Sequence, residues 1–263
     1  MNDAMRADRA LRGAAAAWFT VAVAGQWIFA LYVALYYGRA AARGDLAAWN
    51  RVMPHGFVPG DAVGNFAAGA HLAFALAILL GGAMQLAPYL RRRWPGLHRW
   101  TGRVYMMTAI GISLDGLYMV WTRGTVGGWE QHLSISVNAL LILLCAGMAW
   151  RYAVRRELGA HRRWALRLFL VASGVWFFRV GLMLWLTIHR APVGFDPDTF
   201  RGPFLTVLAF GQYLIPLAVL ELYLRSRDVK SKWAMAGGLA ILTAGMGVGI
   251  MAAAMGMWLP RFR

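Results

Sequence analysis

The sequence has little charge and a single cysteine, and each shortage excludes a class of protein. Only 14% of its 263 residues are charged, whereas 60% are hydrophobic, a balance that excludes a soluble domain of this length. Cys145 is the only cysteine, so the chain has no internal disulfide and no Cys-x-x-Cys-His motif for covalent haem attachment. We therefore expect a polytopic membrane protein whose cofactors, if any, are held without covalent bonds.

Seven apolar stretches are long enough to cross the hydrocarbon core of a bilayer, which takes about 20 residues. They run approximately over residues 14–37, 66–89, 101–121, 132–150, 165–188, 203–224 and 233–259. The first stretch continues well past a signal-like Ala22-Val23-Ala24 and is too long for a signal core, so we expect a retained helix. The predicted fold is an all-α transmembrane helix bundle of about seven spans, one integral membrane domain over residues 1–263.

Positive charge is distributed unevenly between the loops. Of the 27 Lys and Arg residues, 18 lie at the membrane face predicted for the N-terminus and 8 at the other. Short cytoplasmic loops retain Lys and Arg, so we expect a bacterial inner-membrane protein with its N-terminus inside and its C-terminus outside. Topology and anionic lipid head groups account for the net charge of +16, which makes membrane lipids the expected partners and excludes nucleic acid.

Four of the six histidines lie near the ends of four successive spans, at depths that match in pairs. His71 and His132 fall towards the predicted outer face, and His98 and His161 fall at the inner face. The two hairpins echo each other, with spacings of 27 and 29 residues between their histidines. Side by side, they form a predicted haem-binding four-helix core over residues 66–188, an architecture that commonly holds cofactors between facing helices.

Paired imidazoles in such a core are typical of haem sites. Two neutral imidazoles saturate haem iron and favour electron transfer over oxygen binding. Pairing His71 with His132, and His98 with His161, predicts two non-covalent b-type haems with these four histidines as axial ligands to iron. His71 is the strongest case, because an ionisable residue inside an apolar span marks a functional site. Two alternatives remain open: one haem or another metal, and histidines that bind only water, lipid phosphate or backbone carbonyls.

Several charged residues accompany the histidines. Asp115 and Arg179 reach the same predicted depth, which favours a structural ion pair; the alternative has Arg179 binding a propionate of the outer haem, oriented by Asp115. Arg99 and Arg162 follow the inner histidines directly. Positive-inside topology explains most of the inner arginines, but guanidinium groups also suit haem propionates or an anionic reductant.

Two weaker hypotheses concern residues outside this core. His55 and His189 lie in or beside outer loops, so a metal site of outer histidines competes with the haem hypothesis, although no tight ligand spacing supports it. The last span carries Gly245-Met246-Gly247-Val248-Gly249, a small-residue surface suited to close helix packing within the chain or in a homodimer.

Three segments carry a resemblance to a known family. Leu97-His98-Arg99-Trp100-Thr101-Gly102-Arg103-Val104-Tyr105, His161-Arg162-Arg163-Trp164-Ala165-Leu166-Arg167 and Phe177-Phe178-Arg179 resemble the bacterial DUF2306 family of predicted membrane proteins over about residues 85–185. The resemblance implies a membrane protein and supplies no activity.

The layout of the histidines on the helices also resembles the transmembrane di-haem cytochrome b561 family. In that family the second helix pairs with the fourth and the third with the fifth, which implies the same two pairs, His71 with His132 and His98 with His161. The chain departs from it by its seventh span and by having no recognisable ascorbate motif, so donor and acceptor do not carry over.

These patterns predict a transmembrane electron carrier with two haems b, which oxidises a quinol or another small reductant and reduces an acceptor across the membrane. No catalytic residue is predicted, and whether the protein is an enzyme stays open. The alternative is a cofactor-free membrane protein, such as a transporter or accessory subunit, that binds a lipid or small anion at the inner Arg/His cluster.

Overall fold

A computed structural model describes residues 2–262, and these fold into nine α-helices with no β-strand among them. The helices are α1 (Asn2–Ala42), α2 (Ala62–Leu86), α3 (Pro88–Arg93), α4 (Pro95–Thr122), α5 (Trp129–Val154), α6 (Leu158–Ala172), α7 (Gly174–His189), α8 (Pro203–Arg225) and α9 (Val229–Ala253). A short 3-10 helix (Leu46–Arg51) joins α1 to α2, and a π-turn and a 3-10 turn follow α9. The predicted all-α bundle is confirmed.

Six helices are long and apolar enough to cross a membrane on their own: α1, α2, α4, α5, α8 and α9. The helices α6 and α7 meet that criterion only as a pair, bent by 53° at their junction. Counted as one broken span, the pair gives the seven predicted spans. We call the face at which α2 ends and α4 begins the arginine-rich face, and the face at which α5 and α8 begin the opposite face.

Local signals in the sequence explain where the helices begin. Pro88, Pro95 and Pro203 open α3, α4 and α8, because proline lacks the N–H that would be unpaired at a first helical position. Asp61 caps α2 by accepting a hydrogen bond from the Gly64 N–H at 2.9 Å, and Asp228 caps α9 through the Ser231 N–H. Such caps satisfy N–H groups that the helix itself leaves free.

Four helices form a closed ring. In the order α2, α4, α5, α6, each packs against the next, and α6 returns to α2. The helices α2 and α5 therefore lie across one diagonal of the ring, and α4 and α6 across the other. Outside the ring, α1 packs against α9 and α2, α7 against α9 and α8, and α8 against α5 and α6.

The junction between α6 and α7 lies among buried polar side chains. Ser173 donates to the Phe169 carbonyl and accepts a 2.9 Å hydrogen bond from Gln26 of α1. A Cβ atom at Gly174 would lie 3.0 Å from the Asn138 Nδ2 atom of α5. Broken backbone at membrane depth is tolerated where protein groups bury and satisfy it. The absence of a side chain at residue 174 therefore lets α7 leave the ring at this point.

Replacing Gly174 with Val should destabilise the protein by about 1–3 kcal/mol, the usual cost of overpacking, because the new side chain would push α7 away from Asn138. Thermal unfolding in detergent measures the loss. Gly147→Val on α5 is the matched control, since a Cβ at that position meets nothing within 4 Å. Equal losses from both substitutions would contradict the close approach at Gly174.

Arg123 joins the loops of the opposite face. Its Nη2 lies 2.6 Å from Asp61 Oδ2 and 2.9 Å from Asn65 Oδ1, and its Nη1 donates to the His55 carbonyl at 2.9 Å. The hydrogen bond from the Arg123 guanidinium, and to a smaller extent that from the Gly64 N–H, lowers the pKa of the Asp61 carboxyl below its ordinary value. Arg123 thus ties the end of α4 to the loop that precedes α2.

The Asp61 interaction makes stability depend on pH in the acid range. Because folding lowers this pKa, ionised Asp61 stabilises the folded protein above about pH 4, the ordinary pKa of Asp, and the stabilisation is lost as the pH falls below it. Asp61→Asn should therefore flatten the decline of the melting temperature below about pH 4. Asp198→Asn, on an exposed loop, is the control and should leave the decline as it is.

Candidate functional site

The candidate site that contains two of the predicted ligands lies at the arginine-rich face, inside the ring. A cavity of about 1000 Å³ opens between α2, α4, α5 and α6 and is lined by residues of all four helices. His98 of α4 and His161 of α6 both line it. The predicted inner pair, His98 and His161, therefore lies on two helices that face each other across the ring, and both residues line one cavity.

His98 and His161 occupy equivalent positions. Each is the fourth residue of its helix, and each backbone N–H donates to the residue that precedes the helix, Trp94 or Glu157. Arg99 and Arg162, the next residue in each case, also line the cavity. The two halves of the suggested sequence repeat therefore share the same backbone geometry at the histidine.

The contact made by His161 fixes its proton. Its Nδ1 lies 2.9 Å from the Ala149 carbonyl oxygen of α5. A carbonyl only accepts hydrogen bonds, so Nδ1 carries a proton, and in the neutral form of the ring Nε2 presents a free lone pair. Histidines that bind a metal through one ring nitrogen usually donate a hydrogen bond from the other nitrogen in this way. His98 differs, because its Nδ1 is buried and has no partner among residues 2–262.

Small and aromatic residues shape the wall of the cavity. A Cβ at Gly82 would lie 2.9 Å from Phe169 Cδ2 and 3.3 Å from the Tyr105 hydroxyl, so only glycine lets these rings approach α2. The Tyr105 hydroxyl is buried and, within the described part of the chain, has no hydrogen-bond partner. Together with His98 Nδ1, it leaves two polar atoms in this wall that a bound group could satisfy.

The rim of the cavity is strongly basic. Its lining includes Arg91, Arg99, Arg103, Arg156 and Arg162, and no Asp or Glu of residues 2–262 is among it. Arginine side chains bind carboxylates and phosphates through bidentate hydrogen bonds. The cavity therefore combines an apolar interior, two imidazoles and a rim suited to anionic groups.

The predicted ion pair between Asp115 and Arg179 is wrong. Asp115 Oδ2 lies 2.9 Å from His71 Nδ1, so the carboxylate that was expected to pair with or orient Arg179 binds the histidine instead. Arg179 Nη1 donates to the Val175 carbonyl at 3.1 Å, and its guanidinium carbon lies 5.2 Å from the centre of the Phe29 ring. Equal depth did not bring the two side chains together, because the bend before α7 turns Arg179 towards α1.

His71 and His132 are held separately towards the opposite face. The Asp115 carboxylate accepts from His71 Nδ1, and the Gly128 carbonyl accepts from His132 Nδ1 at 3.2 Å. In the neutral form of each ring, Nε2 then carries a lone pair. His132 also packs against the Trp121 ring at 5.9 Å. The two residues stand on α2 and α5, which face each other across the ring.

The other two histidines are engaged elsewhere. His55 Nδ1 contacts the Arg123 carbonyl at 3.1 Å, whereas His189 contacts the Trp185 carbonyl of its own helix. Among residues 2–262, no group of three or more His, Cys, Asp or Glu side chains is placed so that it could hold a metal ion. The competing metal site of outer histidines therefore gains no support.

Sequence reasoning missed two features of these sites. The His71–Asp115 contact joins residues on neighbouring spans, and the signal for it was an acid in an apolar stretch at the depth of His71. The free Tyr105 hydroxyl had no such signal, because tyrosines are common near membrane faces.

A family model described as Predicted membrane protein (DUF2306) matches residues 69–224. The chain belongs to this family. The matched segment begins inside α2 and ends inside α8, so it contains the whole ring except the start of α2, and all four predicted ligands. Comparison with curated proteins and with solved structures found no match. Membership of DUF2306 thus establishes a membrane protein, and its activity has to be argued from the site.

Replacing Asp115 with Leu should cost about 1–3 kcal/mol, because the His71 imidazole loses its hydrogen-bond partner within the membrane. The loss in a His71→Leu, Asp115→Leu double variant should be smaller than the sum of the two single losses, as expected for residues in contact. Unfolding of the variants in detergent gives these values. The pair Arg179→Met and Asp115→Leu is the control, and additive losses are expected for it.

Proposed function

We propose that this DUF2306 protein binds haem b inside its ring of four helices and transfers electrons across the membrane. The observation that carries the proposal is the diagonal placement of His98 and His161 at equivalent positions against one cavity, with the Nε2 lone pair of His161 left free. Cofactors of helix bundles are held in this way, by side chains from facing helices.

The chemistry of the cavity fits the group. Its volume of about 1000 Å³ lies at the upper end of the range of cofactor pockets, about 300–1,000 Å³. Arg99 and Arg162 stand beside the two imidazoles and suit the propionates of a porphyrin. The Ala149 carbonyl contacts His161 Nδ1 and so orients the ring.

The second pair of histidines supports a second site nearer the opposite face. The Asp115 carboxylate holds His71 through Nδ1, and the Gly128 carbonyl holds His132 in the same way; such contacts orient the rings of histidines that bind a metal. Along α5, His132 lies 17 residues from the Ala149 carbonyl that holds His161, about 26 Å of helix. Haem held by two imidazoles would supply one-electron chemistry rather than oxygen binding, and two such sites would form a path along the membrane normal.

We place the protein in the bacterial cytoplasmic membrane with its arginine-rich face inside, on the rule that short cytoplasmic loops retain Lys and Arg. A quinol or another small reductant is the proposed electron donor.

One observation favours the alternative of a cofactor-free protein that binds a lipid or small anion. The five arginines of the rim and the apolar interior would hold a phospholipid head group and its chains equally well. The two functions differ in whether iron porphyrin is bound in a fixed ratio.

The reduced-minus-oxidised visible spectrum of the purified protein, with haem quantified per chain, tests the proposal. We expect two b-type haems per chain, and His161→Ala or His71→Ala should each remove one and leave the other. His189→Ala is the matched control, because this histidine also contacts a backbone carbonyl but lies at the end of α7, outside the ring. A colourless protein from cells supplied with ample haem would overturn the proposal and favour the anion-binding alternative.

A further inference from the structure

A second cavity lies at the opposite face, where α5 and α8 begin. Its volume is about 470 Å³. The first turn of α5 contributes Trp129, Glu130 and Gln131, and the loop and first turn of α8 contribute Phe200, Arg201 and Thr206. None of these residues belongs to the predicted haem ligands, and hydropathy alone gave no signal for the cavity.

The cavity is shaped by loops that approach each other closely. Gly127 has a φ of +84°, and a Cβ there would lie 2.9 Å from the Phe200 carbonyl. Gly202 has a φ of +146°, and a Cβ there would lie 2.5 Å from the Gly194 carbonyl. Phe200 itself has a φ of +54°, an uncommon conformation for a residue with a side chain. Such conformations persist where the surroundings impose them, typically at binding sites.

Unpaired polar groups face this cavity. Gln131 is only 7% exposed, and its Nε2 makes a long 3.5 Å contact with the Leu205 carbonyl. Its Oε1 accepts no hydrogen bond from residues 2–262, although the side chain lines the cavity. Gly128 and Gly202, which precede α5 and α8, offer no side-chain cap. Several first-turn N–H groups bond to backbone carbonyls instead, and those of Trp129, Glu130 and Leu205 are left without a partner among residues 2–262.

The lining limits the kind of ligand. Glu130 and Arg201 bring opposite charges to it, which favours a molecule without net charge. Trp129 and Phe200 offer flat aromatic surfaces, while Gln131 Oε1 and the first-turn N–H groups offer an acceptor and donors. A flat, neutral molecule with hydroxyl or carbonyl oxygens on its ring matches all three features.

The cavity also adjoins the proposed haem site nearer this face. Gly128 lines the cavity, and its carbonyl is the group that holds His132. We infer that the cavity binds the head group of a membrane quinone or quinol, an inference that rests on the proposed function for its electron-transfer role. Oxidation of a quinol here would release two electrons, one to each of the two proposed haems. It would also release two protons, one to the Glu130 carboxylate that lines the cavity and one to water at this face.

Titration of the purified protein with ubiquinone-1 in a calorimeter tests the inference, with haem per chain measured on the same samples. Gln131→Leu should weaken binding by about tenfold or more, the value of one buried hydrogen bond, without changing the haem content. Phe200→Asn should also weaken binding, because asparagine tolerates the left-handed backbone but removes the ring. Arg190→Asn, at another left-handed position of this face with a φ of +54°, is the matched control and should bind normally.

The outcomes separate this inference from the proposed function. A haem-containing protein that does not bind ubiquinone-1, or binds it equally well in both cavity variants, would overturn the inference and leave the haem proposal standing. Binding that depends on Gln131 and Phe200 in a protein without haem would support the quinone site and overturn the proposed electron transfer.

Discussion

The contact between α2 and α6 closes the ring on which the placement of all four histidines depends. Short connections make α2, α4, α5 and α6 antiparallel neighbours in chain order, and such a series could remain an open row. It closes because Gly82 leaves room for the Phe169 ring against α2. Closure sets α2 opposite α5 and α4 opposite α6, so helices that are not consecutive in the chain face the same interior.

Polar groups inside a bilayer need partners within the protein, and these partners tie the ring to its surroundings. The Asp115 carboxylate joins α4 to α2 through His71, and Ser134 of α5 donates to the Ala209 carbonyl of α8 at 2.6 Å. Gln26 joins α1 to the junction of α6 and α7. Because unpaired polar atoms are costly there, Gln131 Oε1, the Tyr105 hydroxyl and His98 Nδ1, which have no hydrogen-bond partner among residues 2–262, indicate where a bound group would lie.

Position along each helix could be predicted from the sequence, whereas direction around each helix could not. Bilayer thickness gave the spans, and the histidines at the starts of α4, α5 and α6 were located correctly. Asp115 and Arg179 were mispaired because their equal depth says nothing of the bend at Ser173, which lies in an unbroken apolar stretch. The cavity between α5 and α8 was missed because residues about 70 positions apart form it through loop conformations that leave no hydropathy signal.

The helices α1 and α9 pack along each other and are joined by the Asp8–Lys232 ion pair at 2.8 Å and by the Arg261 contact to the Tyr32 hydroxyl at 3.0 Å. Both lie outside the segment that matches the family, and nearly the whole ring is translated between them. During synthesis α1 therefore precedes the ring, and its α9-facing surface has no α9 to pack against until the ring has been made. Assembly of this flank is consequently a late event, which has to wait for the far end of the described chain to leave the ribosome.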